Sequence, residues 1–368
     1  MSELYIGLMS GTSLDGVDAV LVDLSAGDGA MRLLAHQHDA FPQALRDELL
    51  SLNSPGDNEL HRAALAGNAV ARSYADSVAK LLEKSGQRKQ DVRALGAHGQ
   101  TVRHRPTEFD GCGYTSQLLN GSLLAEQCGI AVVCDLRSRD LAAGGQGAPL
   151  VPAFHRAVFG RNDADVAVLN IGGISNLSLL ARDGGSLGFD CGPGNCLMDA
   201  WIQRHQQKDF DADGAWAASG RVLPELLARL LAEPYFRQAA PRSTGRDLFN
   251  LPWLERAMQG GEAAANVQAT LLELTAQSIA DSLPAESRSG DLLVCGGGAL
   301  NGSLMRRLQA LLPQMRVQPS DARGVPVMQV EAAAFAWLAQ RFVHGLPGNL
   351  PRVTGAAGPR ILGALYPA

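Results

Sequence analysis

Apolar positions in this chain fall into two patterns that alternate along its length. Short runs such as Leu4–Met9, Val92–Ala97, Asp165–Asn170 and Asp291–Cys295 have strand length and end close to glycine. Longer stretches such as Glu59–Lys84, Ala263–Leu283 and Val330–Val343 place apolar residues at helical spacing. The same reading predicts strands at Val17–Leu24, Arg32–Ala40, Ile130–Asp135, Leu177–Leu180 and Leu187–Asp190. It predicts helices at Gln43–Leu52, Ser122–Cys128, Val151–Val158, Cys196–His205, Val222–Leu231, Leu251–Gln259 and Gly302–Leu312. Alternation of this kind implies an α/β architecture. The opening strand-turn-strand recurs at Asp165–Leu180, so two related domains are expected around a cleft. Their expected bounds are 1–150 and 151–349, with the Gly- and Pro-rich segment 350–368 joined to the first and packed on the surface.

Three glycine-rich turns each follow a strand: Gly11–Asp18, Ile171–Asn176 and Gly296–Asn301. Glycine allows close backbone approach, and successive N–H groups in such turns form a nest for anions. Any one of them is equally a glycine-containing hairpin; three in this order suit a nucleotide. The lysines, Lys80, Lys84, Lys89 and Lys208, all lie outside these loops, and no G-x-x-x-x-G-K-[ST] is present. Phosphate charge must then be met by backbone N–H groups, helix N-termini and a cation.

Length adds that 368 residues exceed one ordinary core, which agrees with two domains. A net charge of -5 argues against nucleic acid as the main partner. No apolar run reaches the roughly 18 residues of a membrane span, and no signal segment is read at the start, so a cytoplasmic protein is expected. The cysteines, Cys112, Cys128, Cys134, Cys191, Cys196 and Cys295, show no C-x-x-C spacing, which fits reduced thiols.

Longer motifs narrow the reading. Met9–Asp18, His98-Gly99-Gln100-Thr101, Gly144–Leu150, Asn170–Asn176, Phe189–Asn195 and Cys295–Asn301 resemble the anhydro-N-acetylmuramic acid kinase family. The resemblance runs through Thr354-Gly355 and Leu362-Gly363, and Cys191, where the family often carries Thr, is a small departure. It implies the actin-like ATPase and sugar kinase fold, with ATP and Mg2+ as cofactors and a homodimer as the assembly. It also implies hydrolytic opening of 1,6-anhydro-N-acetylmuramic acid, with phosphorylation at O6, in peptidoglycan recycling. A plain sugar or acyl kinase and a chaperone- or actin-like ATPase are the alternatives.

Within that resemblance, Gly11, Thr12, Ser13, Leu14, Asp15, Gly16, Val17 and Asp18 form the ATP-binding segment. Asn170, Gly172 and Gly173 would form the opposing phosphate clamp, and Gly296, Gly297 and Gly298 would pass beneath adenosine. Asp15 and Asp18 are expected to hold Mg2+ through water, or to stabilise the turn. Asp190, where a strand meets Gly192-Pro193-Gly194, is the expected general base, with helix or turn capping as its structural alternative. Glu331, at a helix start, is a dipole partner or a second site carboxylate. His98, Gln100, Thr101, Arg103 and Arg137 are expected to read the sugar, and the arginines its carboxylate. His104 lies in the same stretch, and Asp135 and Asp140 are expected to pair with Arg137.

Overall fold

The computed structural model describes residues 2–11, 13–25 and 31–368 and divides the chain into two compact units. One comprises Met1–Val158 with Gln329–Ala368, the other Phe159–Met328. The first carries β1 (Leu4–Met9), β2 (Gly16–Asp23), β3 (Arg32–Ala40), β4 (Val92–Ala97), β5 (Gln100–Pro106), β6 (Gly113–Leu118) and β7 (Val132–Cys134). The second carries β8 (Val166–Ile171), β9 (Ile174–Leu180), β10 (Ser186–Pro193), β11 (Gly290–Cys295) and β12 (Met315–Pro319). The chain then returns to the first unit and ends with β13 (Ala364–Tyr366).

The two sheets repeat one topology. The first has the order β13-β7-β4-β1-β2-β3 and the second β10-β9-β8-β11-β12. In each, the opening strand pairs antiparallel with the next, which pairs antiparallel with a third. On its other edge the opening strand pairs parallel with the fourth, and a fifth follows in parallel. This duplication is the arrangement that the repeated strand-turn-strand predicts. Each sheet has its own core. Tyr74, Val78 and Leu81 of the helix Glu59–Ser85 pack with Ile6, Leu8 and Leu21 in the first. Leu271, Leu274 and Ile279 of the helix Ala264–Ser282 pack with Leu169, Phe189 and Val294 in the second.

The helix Val330–Val343 corrects the expected boundary at residue 349. It packs on β1, β2 and β4 of the first unit rather than belonging with the chain before it. The reason is steric: Gly7 in β1 and Gly96 in β4 have no side chain, and the helix face is Ala332, Ala333, Ala336 and Ala339. A Cβ on Gly7 would overlap the carbonyl oxygen of Ala332, and one on Gly96 that of Phe335. Residues 348–368 are likewise more than surface packing. Asp140, fully buried, accepts hydrogen bonds from Thr354 Oγ1 at 2.8 Å, Asn349 Nδ2 at 2.7 Å and the Gly147 N–H at 2.8 Å. Neither Asp140 nor Asp135, which accepts from Ser138 Oγ at 2.5 Å, pairs with Arg137 as expected.

The hairpin β5–β6 and the edge strands β12 and β13 escape the sequence pattern. Arg103, His104 and Arg105 put three polar residues in a row in β5, so period-two alternation is lost. Edge strands as short as β13 give too few positions to show a period.

Substituting Gly96 by Ala should destabilise the protein by about 1–3 kcal/mol, the usual cost of overpacking a filled contact. Urea unfolding monitored by circular dichroism measures this, and a change below about 0.5 kcal/mol would show that the helix can shift to make room.

Candidate active site

The second glycine hairpin is the tightest of the three turns. The Gly172 carbonyl accepts from the Asn195 N–H at 2.8 Å, and the Gly173 carbonyl from Gly194 at 2.9 Å and Cys196 at 3.1 Å. In a trans peptide the N–H lies opposite the carbonyl, so the N–H groups of Gly173 and Ile174 point away from this turn. Two outward donors side by side are what an anion nest requires. Asn170, at the end of β8, stands beside Gly296 at the end of β11, where the third loop leaves the sheet.

Asn195 was quoted only as part of a motif by sequence reasoning, yet it ties two of these loops together. Its Nδ2 donates to the Ile171 carbonyl at 3.3 Å, and its side chain lies against Gly297 and Gly298. The signal available in the sequence was its place after Gly-Pro-Gly.

The glycines of the three loops divide into two kinds. A Cβ on Gly11, Gly172 or Gly297 would meet no protein atom closer than 3.6 Å. Space above their backbone is open, as a ligand cradle requires. At Gly16, Gly296 and Gly298 an added Cβ would strike Asp39, Asn170 and Ile171 respectively, so those glycines serve packing. Leu14 and Val17 are also core residues. Ser13 and Asp15 are exposed in the turn, while Thr12 lies outside the described residues.

Asp18 faces β3, where His36 Nε2 and His38 Nδ1 lie 3.1 and 3.0 Å from its Oδ1. Among the described residues no group of three ligating side chains could hold a metal directly. A magnesium ion that keeps its water shell needs only one or two carboxylates.

Asp190 sits at a break in the β10–β9 register, a bulge of the kind that re-aims side chains beside functional sites. Its backbone is pinned: the N–H donates to Arg242 O at 3.0 Å, and the carbonyl accepts from Tyr235 Oη at 2.8 Å and Arg242 Nε at 3.2 Å. Its carboxylate Oδ2 accepts from the Thr244 N–H at 3.0 Å and Ser243 Oγ at 3.1 Å. Those donors come from a distant segment, so the carboxylate does not cap the helix Cys196–Gln206 that follows it. Burial pushes the Asp190 carboxyl above its ordinary range, against the pull of Thr244, Ser243 and Arg242. Cys191 next to it is fully buried, and its thiol is pushed up to about 12. It is inert.

In the first unit, His98, Gln100, Arg137 and Glu331 form a polar group beside the first loop. Arg137 can only donate, so His98 Nε2 must accept its bonds at 2.9 and 3.3 Å. The His98 Nδ1–H then donates to Ser10 O at 3.1 Å, and burial pushes this neutral imidazole down to about 3. Arg137 also donates to Gly147 O at 2.8 Å, and burial lowers it to about 10. Burial raises the Glu331 carboxyl; Arg137 opposes the shift and Asp18 and Asp15 add to it. Gln100 is fully buried, its Nε2 donating to Gly11 O at 3.1 Å, while its Oε1 has no partner among the described residues. Thr101 Oγ1 accepts from Gln117 Nε2 at 3.2 Å, and His104 Nδ1 meets Thr115 Oγ1 at 2.9 Å. Arg103 is engaged structurally: it pairs with Glu59 at 2.7 Å and donates to the Leu52 carbonyl. Both arginines are expected from the sequence to meet the sugar's carboxylate; Arg103 is instead committed to Glu59 and Leu52, while Arg137 pairs with His98.

Comparison with known proteins gives the family. The model of the family described as "Anhydro-N-acetylmuramic acid kinase" matches residues 3–368. The anhydro-N-acetylmuramic acid kinase of Variovorax paradoxus (strain S110) is 63% identical over 100% of this chain and 99% of its own length. That of Nitrosomonas europaea (strain ATCC 19718) is 52% identical over 99% of each chain. Among solved structures, a ROK family glucokinase from Streptomyces griseus aligns at 17% identity with a TM-score of 0.41, covering 92% of this chain and 99% of that one. Component A of (R)-2-hydroxyglutaryl-CoA dehydratase from Acidaminococcus fermentans aligns at 13% identity with a TM-score of 0.47, covering 91% and 98%. On the full-length family match, the chain belongs to the anhydro-N-acetylmuramic acid kinase family.

Proposed function

We propose that this enzyme converts 1,6-anhydro-N-acetylmuramic acid, ATP and water to N-acetylmuramic acid 6-phosphate and ADP, with Asp190 as the general base. The observation that supports this most is the Asp190 carboxylate: fixed by two donors on one oxygen and raised by burial toward the pH at which it works. Asp190 takes a proton from water as the water oxygen bonds to C1. The C1–O6 bond breaks, and O6 bonds to the γ-phosphorus as the bond to the β-phosphate oxygen breaks. The proton leaves Asp190 to solvent.

In the second unit Asn170, Gly172 and Gly173 bind phosphate, and the loop Gly296–Gly298 presents the open face of Gly297 to adenosine while Gly296 and Gly298 pack it in place. In the first unit the turn Gly11–Asp18 binds phosphate, with Leu14 and Val17 anchoring it in the core. Mg2+ held through water by Asp15 and Asp18 supplies charge neutralisation on the phosphates. Arg137 binds the lactyl carboxylate, the Gln100 Oε1 accepts from a sugar hydroxyl, and Glu331 is a second carboxylate facing the substrate. Thr101 and His98 set the shape of that turn, and Arg103 anchors it. Among the described residues no helix is long and apolar enough to cross a membrane. We assign the enzyme to the cytoplasm, as a homodimer, in peptidoglycan recycling.

Turnover in oxygen-18 water tests the reaction directly. Label is expected at the anomeric hydroxyl and absent from the phosphate, read against unlabelled product exchanged in the same water. Label in the phosphate, or brisk phosphorylation of ring-opened N-acetylmuramic acid, points to a plain kinase instead.

Asp190→Asn should lose on the order of 10²–10⁴-fold in kcat while keeping ATP affinity. In the wild type, kcat/KM should fall as pH drops through the raised Asp190 value, above the ordinary carboxylate range. Ser243→Ala removes a bond that favours the charged form, so that acid limb should move to higher pH. An unmoved limb would assign it to another group.

Gly172→Ala should keep the wild-type Tm and raise the KM for ATP, because only ligand space is filled. Gly298→Ala should instead lower the Tm through its overlap with Ile171. Thermal melts and nucleotide titrations of both variants separate the two roles.

A further inference from the structure

Sequence reasoning found no lysine near the glycine loops and left phosphate charge to backbone donors and a metal. The structure supplies a cation from a segment that reasoning did not examine. Residues 242–246 form a strap anchored at both ends. At one end Arg242 Nη1 donates to the Phe236 and Gln238 carbonyls at 2.9 and 2.8 Å, and Nη2 to Ser282 Oγ at 2.7 Å. At the other, the Leu248 and Phe249 N–H groups close on Gly245 O, and Phe249 is buried among Tyr235, Phe236 and Trp253. Between the anchors, Ser243 and Thr244 hold Asp190, and the guanidinium of Arg246 lies over Gly173. A Cβ on Gly173 would stand 2.9 Å from Arg246 Nη2 and 3.1 Å from its Nε.

Arg246 is exposed and makes no side-chain hydrogen bond or ion pair among the described residues. Its nearest counterweight is Asp199, in the first turn of the helix Cys196–Gln206. Burial pushes that carboxyl up to about 7, opposed by Arg246 and reinforced by Asp211 and Asp209. Thr244 Oγ1, on the same strap, is a buried hydroxyl without a partner among the described residues.

We propose that Arg246 is a phosphate-binding residue of the second glycine hairpin, its guanidinium gripping the terminal phosphate of ATP above Gly173 while the same strap orients Asp190. A planar guanidinium matches a phosphoryl group through paired N–H donors and stays charged throughout. One strap thus fixes the base and the phosphate charge in a common frame. The proposal rests on ATP being the phosphoryl donor and not on the identity of the sugar.

The test is nucleotide binding without sugar, measured by calorimetry with ADP and with a non-hydrolysable β,γ-imido ATP, both with magnesium. Arg246→Gln should weaken the imido analogue about tenfold more than ADP and leave the Tm unchanged. It should lower kcat on the order of 10²–10³-fold, as loss of one preorganised donor to developing charge does. Arg246→Lys should recover part of the affinity difference, because it restores charge without the paired donors. Equal losses for ADP and the imido analogue, or none for either, would overturn the assignment. If the affinity pattern holds but the anhydro sugar is not turned over, Arg246 stands and the reaction proposed above fails.

Discussion

Everything in the first unit is referred to one close contact, the backbone of the helix Val330–Val343 lying directly on β1 and β4. Gly7 and Gly96 make that contact possible, and the alanines of the helix meet them with the smallest side chains that still favour a helix. Because carbonyl oxygens of the helix occupy the space of missing Cβ atoms, the two glycines set where the helix sits on the sheet. Glu331 rides on the first turn of this helix, and Phe335 one turn later meets the His98 ring at a centroid distance of 4.8 Å. The sheet therefore sets the position of two groups at its carboxyl end through a helix that arrives from the far end of the sequence.

The duplicated sheets carry their carboxylates differently. In the first unit Asp18 lies on the second strand, paired across to His38 on the third, and both imidazoles of β3 reach it. Its partners are local and belong to the sheet. In the second unit the carboxylate, Asp190, lies on the third strand at a bulge, and both its side-chain donors come from the strap more than fifty residues on. One topology thus yields a carboxylate settled among histidines and another held ready by a separately anchored loop. Burial raises the affinity of Asp190 for a proton, against the pull of its two donors and Arg242.

Much of this was legible in the sequence, for identifiable reasons. The apolar helix Val330–Val343 is long enough to be located to the residue, and the glycine loops carry their own chemistry. Asp190 could be singled out because small residues follow it. Less legible were contacts made across the chain: which unit the last helix joins, the tie between Asp140 and Thr354, and the hydrogen bonds of Arg103. Gly7 and Gly96 look alike in sequence to the loop glycines; only the atoms above them separate packing from ligand space. The strap 242–246 has neither periodicity nor a glycine cluster, and its importance arises entirely from what it touches.

Burial acts within each unit separately. In the first it keeps His98 neutral, weakens Arg137 as an acid-base group and raises Glu331; in the second it raises Asp190. Cations and anions are each made less comfortable in their charged forms, and hydrogen bonds return only part of the lost solvation. The unpartnered Oε1 of Gln100 is the plainest case: a fully buried acceptor that has given up water and receives no donor among the described residues.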